Sequence, residues 1–215
     1  MATQQFEIGD GNLGMETATG AEISLRYRTD TRHLTLNLFH TQYDDYIYEA
    51  STGESRLTDE GDSLLVSRFT PADSIFQGFE VDIGTDLGQW NAVDLKLDAS
   101  LEYVEARLTG GGKAPLPRIP PLGATLGLSA DAGHWGLRGE AEYAHKKTTL
   151  AQGELPSDGF VLLNGFAHYD VSDAMTLRVS VHNLTNQEAR QHSSFLKETT
   201  PMHGRNFKAS LSVSF

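Results

Sequence analysis

The sequence predicts an all-β protein: an antiparallel, up-and-down, transmembrane β-barrel segment of about nine strands. Three observations carry this. Apolar and polar residues alternate with period two along most of the chain. The alternating runs are about 10–15 residues long, where soluble strands run about 5–6 and tilted membrane strands need about 9–11. The connections between runs alternate short and long, as in outer-membrane barrels with tight turns at one end and long loops at the other.

The runs follow in chain order. At 17–29, Ala21, Ile23, Leu25 and Tyr27 alternate with Glu22, Ser24, Arg26 and Arg28. The run at 31–47 alternates less cleanly. At 73–87, Phe79, Val81, Ile83 and Leu87 oppose Glu80, Asp82, Gly84 and Asp86. At 91–107, Val93, Leu95, Leu97, Ala99, Leu101 and Tyr103 oppose Asp94, Lys96, Asp98, Ser100 and Glu102. At 121–132, Leu122, Ala124, Leu126, Leu128 and Ala130 oppose Gly123, Thr125, Gly127, Ser129 and Asp131. At 134–148, Trp135, Leu137, Ala141 and Tyr143 oppose Arg138, Glu140 and Glu142. The run at 158–170 is again less clean. At 173–184 the apolar set is Leu177, Val179 and Val181; at 203–215 it is Phe207, Ala209, Leu211, Val213 and Phe215. A strand sends successive side chains to opposite faces, so each run has one apolar and one polar face. No segment holds a 3.6-residue period, so no long helix is expected.

Short turns fall at 29–31, 88–90, 132–134 and 171–173, and long loops at 48–72, 108–120, 149–157 and 185–202. Tyr43, Tyr46, Tyr48, Trp90, Tyr103, Trp135, Tyr143 and Tyr169 lie near run ends, where interfacial aromatic girdles belong. The apolar face then meets lipid and the charged face a wet lumen. Lipid offers no partner to a backbone N–H or C=O, so such a sheet must close or be completed. Nine is odd, and single-chain bacterial barrels have even counts. The 215 residues are therefore expected to be part of a larger barrel that lacks its N-terminal portion. Two other readings remain open. A small passive pore or adhesin barrel would pair 17–29 with 203–215. A soluble β-sandwich binding module would be monodisperse without detergent.

Composition excludes several classes. The chain carries 17 Lys and Arg against 29 Asp and Glu, a net charge of −12. Nucleic acid is not an expected partner, because phosphate recognition needs a basic surface. With no Cys there is no disulfide framework, zinc–thiolate site or cysteine nucleophile. Met1–Gln5 has neither the basic region nor the apolar core of a signal peptide.

Four stretches bring the chain to a known family. Phe6–Leu13 followed by Glu16-Thr17 resembles, with Asp10 in place of the first Asn, the G-N-x-N-L-x-x-E entry to a mid-barrel strand. Tyr43–Ile47 has the form x-D-Y-I that leaves the next one. Gln77–Val81 has the form x-G-x-E that starts the strand after the following loop. Asn183–Arg190 resembles N-L-x-[DN]-x-x-Y, with Ala189 at the Tyr position, and Pro201–Phe207 has the P-x-x-G-R form that leads into the last strand. In these motifs and their order the chain resembles the C-terminal part of TonB-dependent outer-membrane receptors, over essentially all of residues 1–215. The resemblance implies a Gram-negative outer-membrane barrel of about 22 strands with a plugged lumen. It implies a parent protein that takes up a metal ion or metal chelate (siderophore, haem or zinc). It also implies outer-membrane lipid around the wall, the TonB complex engaged through an N-terminal plug missing here, and barrel assembly machinery that reads the last strand and its terminal Phe215.

No catalytic constellation stands out, so no enzyme activity and no resident cofactor are expected. None of the eight His residues forms an H-x-H or H-x-x-x-H pair. Arg190–Lys197 and Arg118–Pro121 resemble, more weakly, the branch of the family associated with zinc uptake. Imidazole suits zinc, so His192 and His203 are the candidate metal and substrate ligands. Asp44 and Asp45, with further acidic residues of 48–72, are candidates to draw cations to the outer mouth. Arg26, Arg28, Arg138 and Arg178 are expected on the lumen face, paired with Glu22, Glu140, Glu142 and Asp82 or touching the plug. Gly110–Lys113 lacks the spacing and the helix of a phosphate loop.

Overall fold

The computed structural model describes residue 3, residues 5–110 and residues 112–215. Met1, Ala2, Gln4 and Gly111, and with them part of the Gly110–Lys113 run, lie outside the described residues. The described chain is all β, in ten strands: β1 (Gln5–Ile8), β2 (Thr17–Arg28), β3 (Arg32–Leu57), β4 (Ser63–Trp90), β5 (Val93–Leu108), β6 (Gly123–Asp131), β7 (Trp135–Ala144), β8 (Phe160–Ser172), β9 (Met175–His182) and β10 (Asn206–Val213). Strands β2 to β10 pair antiparallel with their neighbours in chain order, in one sheet. Nine of the ten match the expected runs, with ends that differ by a few residues except at three places described below.

The register shows why the alternation matters. At one level the paired residues read Arg28, His33, Gly84, Asp98, Gly127, Glu140 and Asn164. One residue along they read Tyr27, Leu34, Ile83, Ala99, Leu126, Ala141 and Leu163. A polar row and an apolar row thus run the width of the wall on opposite faces. The apolar face is uncovered: Leu126, Leu128, Leu137, Val179, Phe207 and Leu211 are all more than half exposed or close to it. A water-soluble sandwich would pack that face against a second sheet, and the described residues form one sheet only.

β2 and β10 are the two ends of the sheet, and neither is paired with the other. With nine antiparallel strands between and including them, both run in the same direction. Self-closure would make a parallel seam, so the small self-closed pore is not the fold seen here.

Tight turns close the sheet at one end. Asn91 and Ala92 (φ 47° and 65°) form a two-residue hairpin turn between the paired Trp90 and Val93. Aromatic rings line the apolar face at two levels. Trp135 pairs with Tyr169 near the turns, and Tyr143 with Val161 near the loops. The eight residues from Trp135 to Tyr143 span about 27 Å of strand, or ~20 Å of depth at a tilt of ~40°. A shift in register between Asp86 and Gly88 opposite Lys96 and Leu95 turns Trp90 onto this apolar face beside Val93.

Three expectations are corrected. Residues 48–72 are not a loop. β3 and β4 run on as a two-stranded ribbon past the level where β5 stops at Leu108, and the ribbon turns only at 58–62. Gln77–Val81 accordingly lies inside β4 and does not start it. Second, a tenth strand exists. β1 pairs parallel with Leu65–Arg68 on the ribbon edge that β5 leaves free. Third, Tyr43 and Tyr46 are not on the lipid face. A bulge at Asp44-Asp45, with Asp45 at φ 56°, opposes two residues to Asp73. Tyr43 and Tyr46 then fall on the same face as Phe76, and the three rings pack edge-on at 5.1–5.2 Å. The strand expected over 134–148 also ends early, at Ala144.

The two faces make opposite demands on one position and its neighbour. Leu126→Arg, at the middle of the apolar face, should cost about 2–4 kcal/mol of stability in the bilayer, whereas Thr125→Arg on the polar face should cost little. Urea unfolding in lipid vesicles measures both.

Candidate functional site

The polar face holds side chains flat against the wall. Arg138 (β7) reaches across β6 to Asp98 (β5), with Nη1 and Nη2 2.5 and 2.8 Å from its two carboxylate oxygens. Nη2 also donates to Glu140 Oε2 at 2.9 Å. The path crosses Gly127, where a Cβ would collide with the guanidinium. His33 likewise lies over Gly84, and its Nε2 is 2.9 Å from Asp82 Oδ1. Arg138 is thus paired with Glu140 as expected from sequence, and with Asp98 in addition. Asp82 meets His33 and not an arginine, and Arg178 bonds Ser212 Oγ at 3.2 Å. Gly127→Val should expel Arg138 from this seat and cost about 0.5–1 kcal/mol, because the pair it breaks is partly exposed and screened by water. Replacing Asp98 as well should add little further loss, and a double-mutant cycle in the same unfolding assay reads this.

Asn183 and Asn186 shape the route from β9 to the last loop. Both take left-handed backbone conformations, at φ 51° and 54°, which Asn tolerates better than most residues. The buried Asn183 side chain accepts from Gln187 N–H at 2.8 Å and donates to the carbonyls of Gln187 and His203. Its own N–H donates to Asn164 Oδ1 at 3.0 Å, and Asn186 Oδ1 accepts from Arg205 N–H at 2.9 Å. The N-L-x-N signature is therefore a folded corner that turns the chain from β9 toward β10.

At the loop end, four segments meet around a cavity of about 190 Å³ that Thr3 and Gln5 also line. They are the β3–β4 ribbon and the loops 109–122, 145–159 and 183–205. Glu49 of β3 is buried, with its side chain 3% exposed. Its Oε2 lies 2.8 Å from Arg118 Nη1, while its Oε1 has no hydrogen-bond partner among the described residues. The Arg118 guanidinium stacks on Phe195 at 3.9 Å from the ring centre, and its backbone N–H donates to Glu154 Oε1 at 2.8 Å. The same carboxylate takes the N–H of Ala151 at 3.1 Å. His192, 1% exposed at its side chain, places Nε2 3.0 Å from Glu154 Oε1, an ion-pair distance without hydrogen-bond alignment. Its Nδ1 faces Ser157 Oγ at 2.9 Å and Lys197 Nζ at 3.4 Å. Lys197 Nζ donates to the carbonyl of Leu155 at 2.5 Å.

Electrostatics follow from this crowding. Burial alone would raise the Glu154 carboxyl, but His192 and the N–H groups of Arg118 and Ala151 outweigh it and bring the pKa to about 2. Burial pushes the Lys197 ammonium down. His192 is thus held within the loop packing. His203 is exposed and gives only its carbonyl to Asn183, and Asp44 and Asp45 lie exposed at the β3 bulge. Of these four candidates His192 alone lines the cavity. Among the described residues no group of three or more His, Asp or Glu is placed to hold a metal ion. Phe215 is fully exposed beyond β10. Glu49, expected from the sequence among the acidic residues that draw cations to the mouth, is instead buried against Arg118, whereas nothing local in the sequence marks Glu154 or Lys197 as buried.

A wall with one apolar and one polar face, aromatic levels, tight turns at one end and long loops at the other defines an outer-membrane-type β-barrel wall. The chain matches the family described as "TonB dependent receptor-like, beta-barrel" over residues 1–184, and it belongs to that family. The fold is similar to that of the copper transporter OprC (23% identity, 95% of this chain and 32% of that one, TM-score 0.82). It is also similar to the siderophore receptor PirA from Acinetobacter baumannii (21%, 97% and 33%, TM-score 0.70). A third similar structure is the FrpB iron transporter from Neisseria meningitidis (17%, 98% and 33%, TM-score 0.72). The chain spans about a third of the length of these solved structures.

The depressed Glu154 pKa sets a pH window. A carboxylate whose folded value lies below its unfolded one contributes stability above the unfolded value, and loses it as pH falls through the folded value. The loop packing should therefore hold above about pH 4.5 and loosen between there and about pH 2. Glu154→Gln should remove that dependence. Hydrogen exchange of residues 145–159 across the range checks both.

Proposed function

We propose that the chain forms part of the wall and outer loops of an outer-membrane TonB-dependent receptor that takes up a metal ion or a metal chelate. The observation that carries this reading is the gathering of three long loops and a protruding ribbon at one end of a polar-lined, lipid-faced wall. Capture at the outer mouth is their role. The polar face lines the lumen, and outer-membrane lipid covers the apolar face. Energy comes from the TonB complex through a plug that belongs to the whole protein. β10 and Phe215 are the segment that barrel assembly machinery engages. The chain's part is binding and passage, with no bond made or broken, so no enzyme activity is assigned to it.

Relatives whose names carry copper, iron and siderophores support the substrate class at the level of metal or chelate. The test is uptake of radiolabelled copper, iron and ferric chelates by cells that carry the whole protein. We expect uptake of at least one, abolished by a protonophore or by loss of TonB, and reduced at least tenfold when residues 187–200 are deleted. Uptake that survives both energy treatments would point to passive flow and overturn the reading.

A further inference from the structure

We infer that Arg118 is a latch that makes the three outer loops and the β3–β4 ribbon one moving body. One residue touches all four segments by different chemistry. Its guanidinium pairs with the buried Glu49 of the ribbon. The face of the same guanidinium lies on Phe195 of the 183–205 loop. Its main-chain N–H holds Glu154 of the 145–159 loop, and the residue itself belongs to the 109–122 loop. Through Glu154 the contact continues to His192, Ser157 and Lys197, and Lys197 Nζ returns to the carbonyl of Leu155. The Arg190 guanidinium closes the last loop on itself at the Lys197 carbonyl.

The backbone at this point is strained. Arg118 sits at φ 59°, a left-handed conformation that L-residues with side chains rarely adopt. Such a conformation persists where its surroundings over-determine it. Pro117 before it and Pro120-Pro121 after it stiffen the approach, so a change at Arg118 turns the loop as a unit. Among the described residues one carboxylate oxygen of Glu49 has no partner, in a buried setting. A carboxylate so placed is costly once its arginine leaves, which makes the latch two-state and not gradual. Lys cannot replace this arginine, because the planar fork both pairs with Glu49 and stacks on Phe195.

The inference rests on the receptor reading only for what the latch serves. Its test needs no ligand and no transport, so the two fail separately. Spin labels placed at Ser55 of the ribbon and Gln152 of the 145–159 loop, and in a second pair at Ser55 and Glu198 of the 183–205 loop, report the distances in outer-membrane vesicles that hold the whole protein. Limited proteolysis reads the same loops. Arg118→Gly removes the side chain but suits the backbone conformation, so it separates the latch from strain. Arg118→Lys keeps only the charge. We expect both variants to broaden both distance distributions, and to raise cleavage in 145–159 and 183–205 by a common factor of about tenfold. Glu49→Gln should produce the same pattern more weakly. Loosening confined to 109–122, or unequal changes in the other two loops, would overturn the inference. So would an Arg118→Gly protein with unchanged distances.

Discussion

The constraint on which the structure depends is that a backbone in lipid finds no solvent partner for its N–H and C=O groups. The antiparallel ladder meets it strand by strand. Almost nothing else here resembles the core of a soluble domain. The buried apolar residues are Val66, Ala106, Leu116, Leu162 and Ala189, mostly small and scattered. The large apolar side chains are on the outside instead. Ordinary hydrophobic burial on folding is thus replaced by transfer of the apolar face into the bilayer, and the sheet itself supplies the geometry. That is why alternation is so regular over β5 to β7 and so dispensable beyond the rim.

The polar face shows what the same ladder demands on its inner side. Charged side chains on adjacent strands stand about 5 Å apart, too close for several long ones to project together. Glycine on the neighbouring strand relieves this. Arg138 lies down over Gly127 to meet Asp98, and His33 lies over Gly84 beside Asp82. The glycines on these strands read as weak strand formers in isolation. In place they are the floor on which the ion pairs rest, and they keep the inner surface low.

Much of the wall was legible in the sequence because one face is lipid and one is water. Leu126 between Thr125 and Gly127 can only be one side of such a strand. The ribbon over 48–72 was hidden for the same physical reason turned around. Beyond the rim both faces are wet, so 49–57 shows no apolar alternation although Glu49–Ser51 and Ser55–Leu57 pair with β4 on either side of an irregularity. The bulge at Asp44-Asp45 was hidden because one inserted residue exchanges faces without changing composition, and it carried Tyr46 inward with it. The loop cluster was hidden most completely. Glu49 and Glu154 are separated by about half of the chain, and only tertiary packing turns two ordinary acids into the partners of Arg118. His192 stood out as a candidate ligand by residue type, and its burial against Glu154, Ser157 and Lys197 gives it a packing role at that position.

The contrast between wall and loops explains why the loop cluster is ionic. Loops joined by a hydrophobic core would gain as much from entering the bilayer as from packing together. Charged groups forbid that exchange, because each would lose its water and its partners at once. Buried ion pairs add little net stability compared with apolar packing, and they hold geometry through the cost of breaking them singly. For loops that must stay above the membrane, keep one arrangement at rest and leave it together, that balance suits Glu49, Arg118, Glu154 and Lys197 better than any set of leucines.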